Sequence, residues 1–274
     1  MVVGCLVNLK GDAYACIRHV AQDLDIHSVQ LCVWDMSMYT RDNADLVLMA
    51  CRDFDVTVTA VWCGWSDKVP YDFSYPQMYH TIGLVPAANR VQRTNDILKG
   101  AEFARMIGVK DIITHAGYMP DNPFHPDRVG VMDALRRICS AIAPYGQRFL
   151  FETGEMIPVT LTQLIKDINM ENIGINFDCA NMIINARGNA VDAMRILAPW
   201  VRGIHAKDAV YPTGMEPKGK EVKLGEGAAN FPELIRILKE HGYDGAVTIE
   251  REISDKVQQE QDIMDAKVYL ESLF

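Results

Sequence analysis

Eight times along this chain a short apolar, β-branched run gives way to a longer amphipathic stretch, and that alternation limits the possible folds more than any other feature. The apolar runs cover 2–7, 28–33, 57–62, 111–115, 149–152, 174–178, 201–205 and 246–250. Most are continuously hydrophobic, as parallel strands covered on both faces must be. The stretches between them, 12–23, 42–53, 88–107, 127–143, 159–168, 190–197, 232–241 and 256–272, space apolar residues among charges in the manner of surface helices. Gly108 and Gly242 stand where two of these helices should stop, and Pro232 suits a helix's first turn. Eight strand–helix units within 274 residues predict a single (β/α)8 TIM barrel that occupies 1–274 as one domain.

A doubly wound open sheet would leave unexplained the polar residues at the strand ends. Strand five reads RFLFE and ends at Glu152, strand six reads GINFD and ends at Asp178, strand seven ends at His205, and strand eight reads AVTIE and ends at Glu250. A closed barrel carries consecutive strand ends to one mouth. Three carboxylates crowded there repel one another and raise each other's pKa, and a divalent cation removes that cost. Glu152, Asp178, His205 and Glu250 are therefore the expected ligands of one divalent metal ion. Their oxygen-rich set suits Mn²⁺ or Mg²⁺, with Co²⁺ or Zn²⁺ also compatible, and a structural zinc site would be richer in cysteine.

The motifs FETGE around Glu152, NFDCAN around Asp178, GIHAKD around His205, and the tail LGEGAANFPELIRILKEHGYDGAVTIERE leading to Glu250 resemble the xylose isomerase-like superfamily of sugar isomerases and epimerases. Within it they are most similar to ketose 3-epimerases of the D-tagatose/D-psicose type. The resemblance covers nearly the whole chain and implies the same four metal ligands, with Glu152 and Glu250 as an acid/base pair on opposite faces of a substrate carbon. The metal would stabilise an enediolate as one carboxylate removes a proton beside a carbonyl and the other returns one. The sequence departs from the epimerase pattern at Asn181 and Tyr211, where those enzymes carry a histidine and an arginine, and in the close spacing of Glu155 to Glu152.

Further candidates follow from position. His115 closes strand four beside Glu152. His115, Glu155, Asn181, Lys207 and Trp65 are expected substrate contacts, Trp65 by stacking on a sugar face. Asp208 and Arg251 are expected to orient ligands or their neighbours. Asn8 and Asp35 are weaker pocket candidates, and Lys218, Lys220 and Lys223 cluster in the long connection after strand seven. Another long connection, after strand three, carries Trp65, Tyr71, Phe73, Tyr75 and Tyr79 on the face where a lid would lie.

A formal charge of −9 argues against a nucleic-acid partner and gives no attraction to anionic membranes. A single clear histidine ligand likewise disfavours an abasic-site endonuclease, and the complete ligand set disfavours a non-catalytic sugar-binding protein. Seven cysteines without a CxxC pair read as buried free thiols, the N-terminus lacks a signal-peptide pattern, and cytoplasm is the expected location. Exposed barrel helices are compatible with a homo-oligomer. The expected partner is a small sugar or polyol and the expected enzyme a metal-dependent sugar isomerase or epimerase. The alternative is a lyase or dehydratase acting on a keto-sugar, keto-glycoside or inosose at the same site.

Overall fold

The computed structural model describes residues 1–69 and 81–274. Its strands are β1 (Val2–Asn8), β2 (Ser28–Val33), β3 (Thr57–Cys63), β4 (Asp111–Thr114), β5 (Arg148–Glu152), β6 (Ile173–Asp178), β7 (Val201–Ala206), β8 (Asp208–Val210), β9 (Lys220–Val222) and β10 (Ala246–Ile249). The helices are α1 (Ala13–Gln22), α2 (Arg41–Asp53), α3 (Ala87–Met106), α4 (Pro126–Ile142), α5 (Pro158–Ile168), α6 (Cys179–Ile184), α7 (Ala190–Leu197), α8 (Phe231–Glu240) and α9 (Lys256–Glu271). Eight strands close into a parallel barrel in the order β1-β10-β7-β6-β5-β4-β3-β2, while β8 and β9 form a separate antiparallel pair. The expected (β/α)8 barrel is the fold.

Two elements lie outside the expected alternation. α6 is a six-residue helix that starts directly at the end of β6, with Asp178 as its N-cap. The β8–β9 hairpin stands inside what reads as one long connection after β7. Neither has enough residues to express a hydrophobic period, so local pattern cannot reveal them. The aromatic residues Tyr71, Phe73, Tyr75 and Tyr79 lie outside the described residues.

Strand alternation sorts the interior into two layers. Phe149 and Phe151 point outward into the large core between barrel and helices, where they meet edge to face with ring centroids 5.2 Å apart. Leu150 points inward and joins Cys32, Ala60, Trp62 and Ile113 inside the barrel. The next inward position on β5 is Glu152, so packing of the strand's outer face sets the direction of the carboxylate. The seven cysteines form no disulfide. Among the described residues no helix is long and apolar enough to cross a membrane.

Candidate active site

The inward positions at the C-terminal ends of β5, β6 and β7, with the residue after β10, bring Glu152, Asp178, His205 and Glu250 together; one ligand atom from each lies within 4.8 Å of the others. Glu250 follows the last residue of β10, and its N–H donates to the Ala206 carbonyl (3.2 Å), which keeps it level with His205. His205 Nδ1 is 2.9 Å from Glu152 Oε1, 3.0 Å from Glu250 Oε2 and 3.8 Å from Asp178 Oδ2.

The other side of the imidazole fixes its protonation. The Gln30 amide nitrogen donates to Asn176 Oδ1 (3.1 Å), so its oxygen faces His205 and accepts from Nε2 at 2.8 Å. Nε2 therefore carries hydrogen and Nδ1 is the nitrogen that faces the carboxylates, protonated toward them in the metal-free protein and a lone-pair donor once that proton is displaced. Gly203 makes room for this chain, because a Cβ there would collide with the Asn176 carboxamide.

Asp178 divides its two oxygens. Oδ1 accepts from the Asn181 N–H (2.8 Å) and caps α6, while Oδ2 points into the cluster. Thr153 ties β5 to β6: its hydroxyl donates to the Asp178 carbonyl (2.7 Å) and accepts from the Asp178 N–H (2.8 Å). Gly154, at φ +153°, then brings the loop against Asn181, where a side chain would clash.

Asp178 Oδ2, His205 Nδ1 and Glu250 Oε2 are buried and make no hydrogen bond among the described residues. Their close neighbours are the other charged groups of the cluster, His205 against Glu152 and Glu250 and Lys207 against Glu250, so like-charged carboxylates are crowded into one small buried volume. Three carboxylate oxygens and an imidazole nitrogen form a fitting donor set for a divalent cation. In the metal-free protein the charges show the same demand. Burial pushes the His205 imidazolium down, but Glu250 and Glu152 outweigh it and hold its pKa well above the usual value. Burial likewise opposes the charge of Lys207, and Glu250 and Glu252 hold its pKa well up.

Glu152 Oε2 accepts from the Trp62 indole N–H and lies 3.3 Å from His115 Nε2. His115 is held from behind by Glu155, Nδ1 to Oε1 at 2.5 Å. Burial raises the Glu152 carboxyl, yet His115 and His205 outweigh it and bring its pKa down to about 2. Burial lowers His115, but Glu152 and Glu155 raise it to about 9. Lys207 Nζ lies 3.4 Å from Glu250 Oε2 and 3.3 Å from Asn181 Oδ1, and pairs with Glu252 on the rim. Glu152, His115, Lys207, Asn181, Glu250 and Glu252 line one side of a cavity of about 390 Å³, and Trp34 and Trp62, with ring centroids 4.8 Å apart, form an aromatic wall.

The structure places several expected site residues elsewhere. Trp65 packs behind Trp34 and Trp62, with the Arg93 guanidinium 4.4 Å above its ring, so Trp34 and Trp62 supply the aromatic surface instead. Glu155 stands behind His115 and orients it, away from the cavity. Asp208 accepts from the N–H groups of Ala209, Gly225, Gly227 and Ala229, so its carboxylate shapes the loop before α8 and orients neither Lys207 nor a ligand. Arg251 lines the cavity and also pairs with Glu221 (2.6 Å) and Asp262 (2.8 Å), binding β9 and α9 to the segment after β10. Tyr211 turns aside to donate to the Gly188 carbonyl (2.9 Å), Asp35 caps a short 3₁₀ turn through Ser37, and Lys223 pairs with Asp265. His115, Asn181, Lys207 and Asn8 line the cavity.

Gln30, Asn176, Thr153 and Trp62 complete the site without having been expected. Asn176 carries a signal in retrospect, because it and Asp178 are two apart on one strand and so share a face.

Comparison with known proteins agrees with the barrel fold. The family model described as xylose isomerase-like TIM barrel matches residues 19–273. A xylose isomerase domain protein from Planctomyces limnophilus superposes with a TM-score of 0.91 at 33% identity, over 99% of this chain and 96% of that one. A 3-keto-D-glucoside 4-epimerase from Escherichia coli shares the fold, with a TM-score of 0.72 at 17% identity over 99% of each chain. An uncharacterized protein of Methanocaldococcus jannaschii is 29% identical over 174 residues, 58% of this chain and 56% of that protein. An inosose isomerase of Halalkalibacterium halodurans is 31% identical over 127 residues, 43% of this chain and 44% of that enzyme. The chain thus spans about half the length of these two relatives.

Proposed function

Because the chain belongs to the xylose isomerase-like TIM-barrel family, we propose that it is a divalent-metal-dependent sugar isomerase or epimerase that moves a proton beside a carbonyl. The observation that carries this reading is the convergence of four ligand atoms within 4.8 Å, from side chains buried at the strand ends, beside a cavity large enough for a sugar whose wall includes Glu152 and Glu250. Glu152, Asp178, His205 and Glu250 would hold Mn²⁺ or Mg²⁺. A bound divalent ion supplies electrophilic stabilisation of the negative charge that develops on a carbonyl oxygen as the neighbouring proton leaves.

The chain's own residues do the proton work. Glu152 is kept ionised by His115 and His205 and directed by the Trp62 indole, so it serves as a base. Glu250, from the other side of the cluster, is the partner that returns a proton. Lys207 and Asn181 reach substrate hydroxyls from the rim beside Glu250. The indole faces of Trp34 and Trp62 cover apolar C–H surface and limit water.

A lyase or dehydratase reading shares the first step. It is favoured by the Lys207 ammonium, which sits beside Glu250 where it would hydrogen-bond a departing oxygen, and by Tyr211, which stands where the epimerase pattern has an arginine and turns its hydroxyl to the Gly188 carbonyl. Incubation with free ketoses, inososes and 3-keto-glycosides in D₂O, followed by NMR, separates the two. Metal-dependent deuterium incorporation with return of a sugar isomer supports the isomerase reading. Product with loss of water or an aglycone supports the lyase. Undiminished turnover in either Glu152→Gln or Glu250→Gln, where a loss of about 10²–10⁴-fold is expected, overturns both.

A further inference from the structure

The cavity continues past the metal cluster. β1 pairs with β10 as far as Cys5 and Ile249, but β1 runs on to Asn8 and is paired there with β2. Past Ile249 the chain leaves the sheet as Glu250–Glu252, and Arg251 is tied outward to Glu221 and Asp262. The barrel wall therefore has a slot between upper β1 and the segment after β10. The cavity passes along it, beside Leu6, into the layer between the barrel and helices α1 and α9, where Val7, Val20, Leu24 and Ile263 line it. A His19–Glu260 ion pair of 3.2 Å spans the two helices at its rim.

Chemistry changes along this length. The barrel end presents Glu152, Glu250, His115, Lys207 and Asn181, all suited to hydroxyls and a carbonyl, whereas the helix end has a buried aliphatic floor of Val7, Val20, Leu24 and Ile263 beneath a more exposed rim of Lys10, His19, Lys256, Gln259 and Glu260. A free monosaccharide has no group that gains from an aliphatic slot. An apolar substituent on the sugar does, at roughly fourfold in affinity for each methylene removed from water. The total volume of about 390 Å³ falls within the ~300–1,000 Å³ of sites that enclose ligands larger than one sugar ring.

We propose that the slot between β1, α1 and α9 is a subsite for an apolar aglycone, so that the sugar acted on at the metal end is a glycoside bearing an alkyl or aryl group. This rests on the reading of the barrel end as the sugar site. The test titrates the Mg²⁺-loaded protein with methyl, propyl and pentyl β-D-glucopyranosides by calorimetry. Affinity should rise about fourfold per methylene, so that pentyl binds on the order of 10²-fold more tightly than methyl. Val20→Phe and Leu24→Phe fill the slot from two positions, and each should collapse the pentyl-to-methyl ratio toward one. Equal affinities along the wild-type series overturn the proposal, as does a ratio that survives both substitutions, which would put the chain elsewhere on the surface. Failure of metal-dependent deuterium exchange would remove the isomerase reading alone, because the chain-length series measures binding without turnover.

Discussion

His205 meets the cluster through one nitrogen, and Gln30 decides which one. Without the Gln30 carbonyl, Nε2 has no acceptor and the imidazole no preferred tautomer. Gln30→Leu should therefore weaken Mn²⁺ binding about 10- to 100-fold with the barrel's circular dichroism retained, and an unchanged dissociation constant by calorimetry would refute the role. His115 allows a second residue-level prediction, made on metal-free protein. Its pKa in the fold, about 9, lies above the unfolded value of 6.5. Protonation thus stabilises the fold fully below about pH 6.5, and that contribution disappears as pH rises through 9. His115→Leu should lower Tm more at pH 6 than at pH 10; an equal loss at both would contradict the ion pairs with Glu152 and Glu155. The four cluster residues were legible because each closes an apolar run. Gln30 was not, because its partner is 175 residues away in sequence and a lone amide in a strand has many ordinary explanations.

Among the elements, the junction of β5, β6 and α6 carries two duties at once. Asp178 ends a strand, caps a helix with one oxygen and offers the other to the cluster. Asp178→Asn keeps an acceptor for the Asn181 N–H but removes the charge, so it should lose metal binding with little change in metal-free stability. Asp178→Ala removes the cap as well and should cost a further ~0.5–2 kcal/mol. Equal denaturation midpoints for the two variants would show that capping contributes nothing. Thr153→Val deletes both hydrogen bonds that staple Asp178 to β5 and leaves buried backbone groups unpaired, a loss of about 1–3 kcal/mol in chemical denaturation. The barrel strands were legible here from continuous hydrophobic runs. α6 and the β8–β9 hairpin were not, because Asp178 as a strand end and Asp178 as a helix cap are the same letter, and three-residue strands such as β8 carry no period. Asp208 was misplaced for a related reason. Next to His205 it looks like a site residue, but its carboxylate is spent on the amide of its neighbour Ala209 and on three amides of a loop that returns 17 to 21 residues later.

At the scale of the molecule, β5, β6, β7 and β10 make up half of the barrel wall, and each delivers one member of a charge cluster buried at their ends. Closing the barrel and assembling the cluster are one event, so whatever neutralises the cluster stabilises the whole fold. Without metal that role falls to protons, above all on His205, whose pKa Glu250 and Glu152 hold well above the unfolded value against the opposing effect of burial. That proton stabilises the metal-free fold below the unfolded pKa near 6.5, and the benefit is lost as pH rises through the folded value. A metal ion must displace it, since Nδ1 binds only when deprotonated. Metal affinity, and with it the stability the ion adds, should therefore increase with pH. At a free Mn²⁺ concentration a hundredfold above the dissociation constant the ion adds about 2.7 kcal/mol. For a chain of this size that corresponds to a Tm increase of roughly 5–10 °C. Differential scanning calorimetry at a fixed Mn²⁺ concentration, with and without EDTA, should show a larger EDTA-induced drop at pH 8 than at pH 6. Glu250→Gln, with one charge fewer in the cluster, should show little drop at either pH. A drop that is larger at pH 6, or that persists in Glu250→Gln, would place the stabilising ion somewhere other than at these four strand ends.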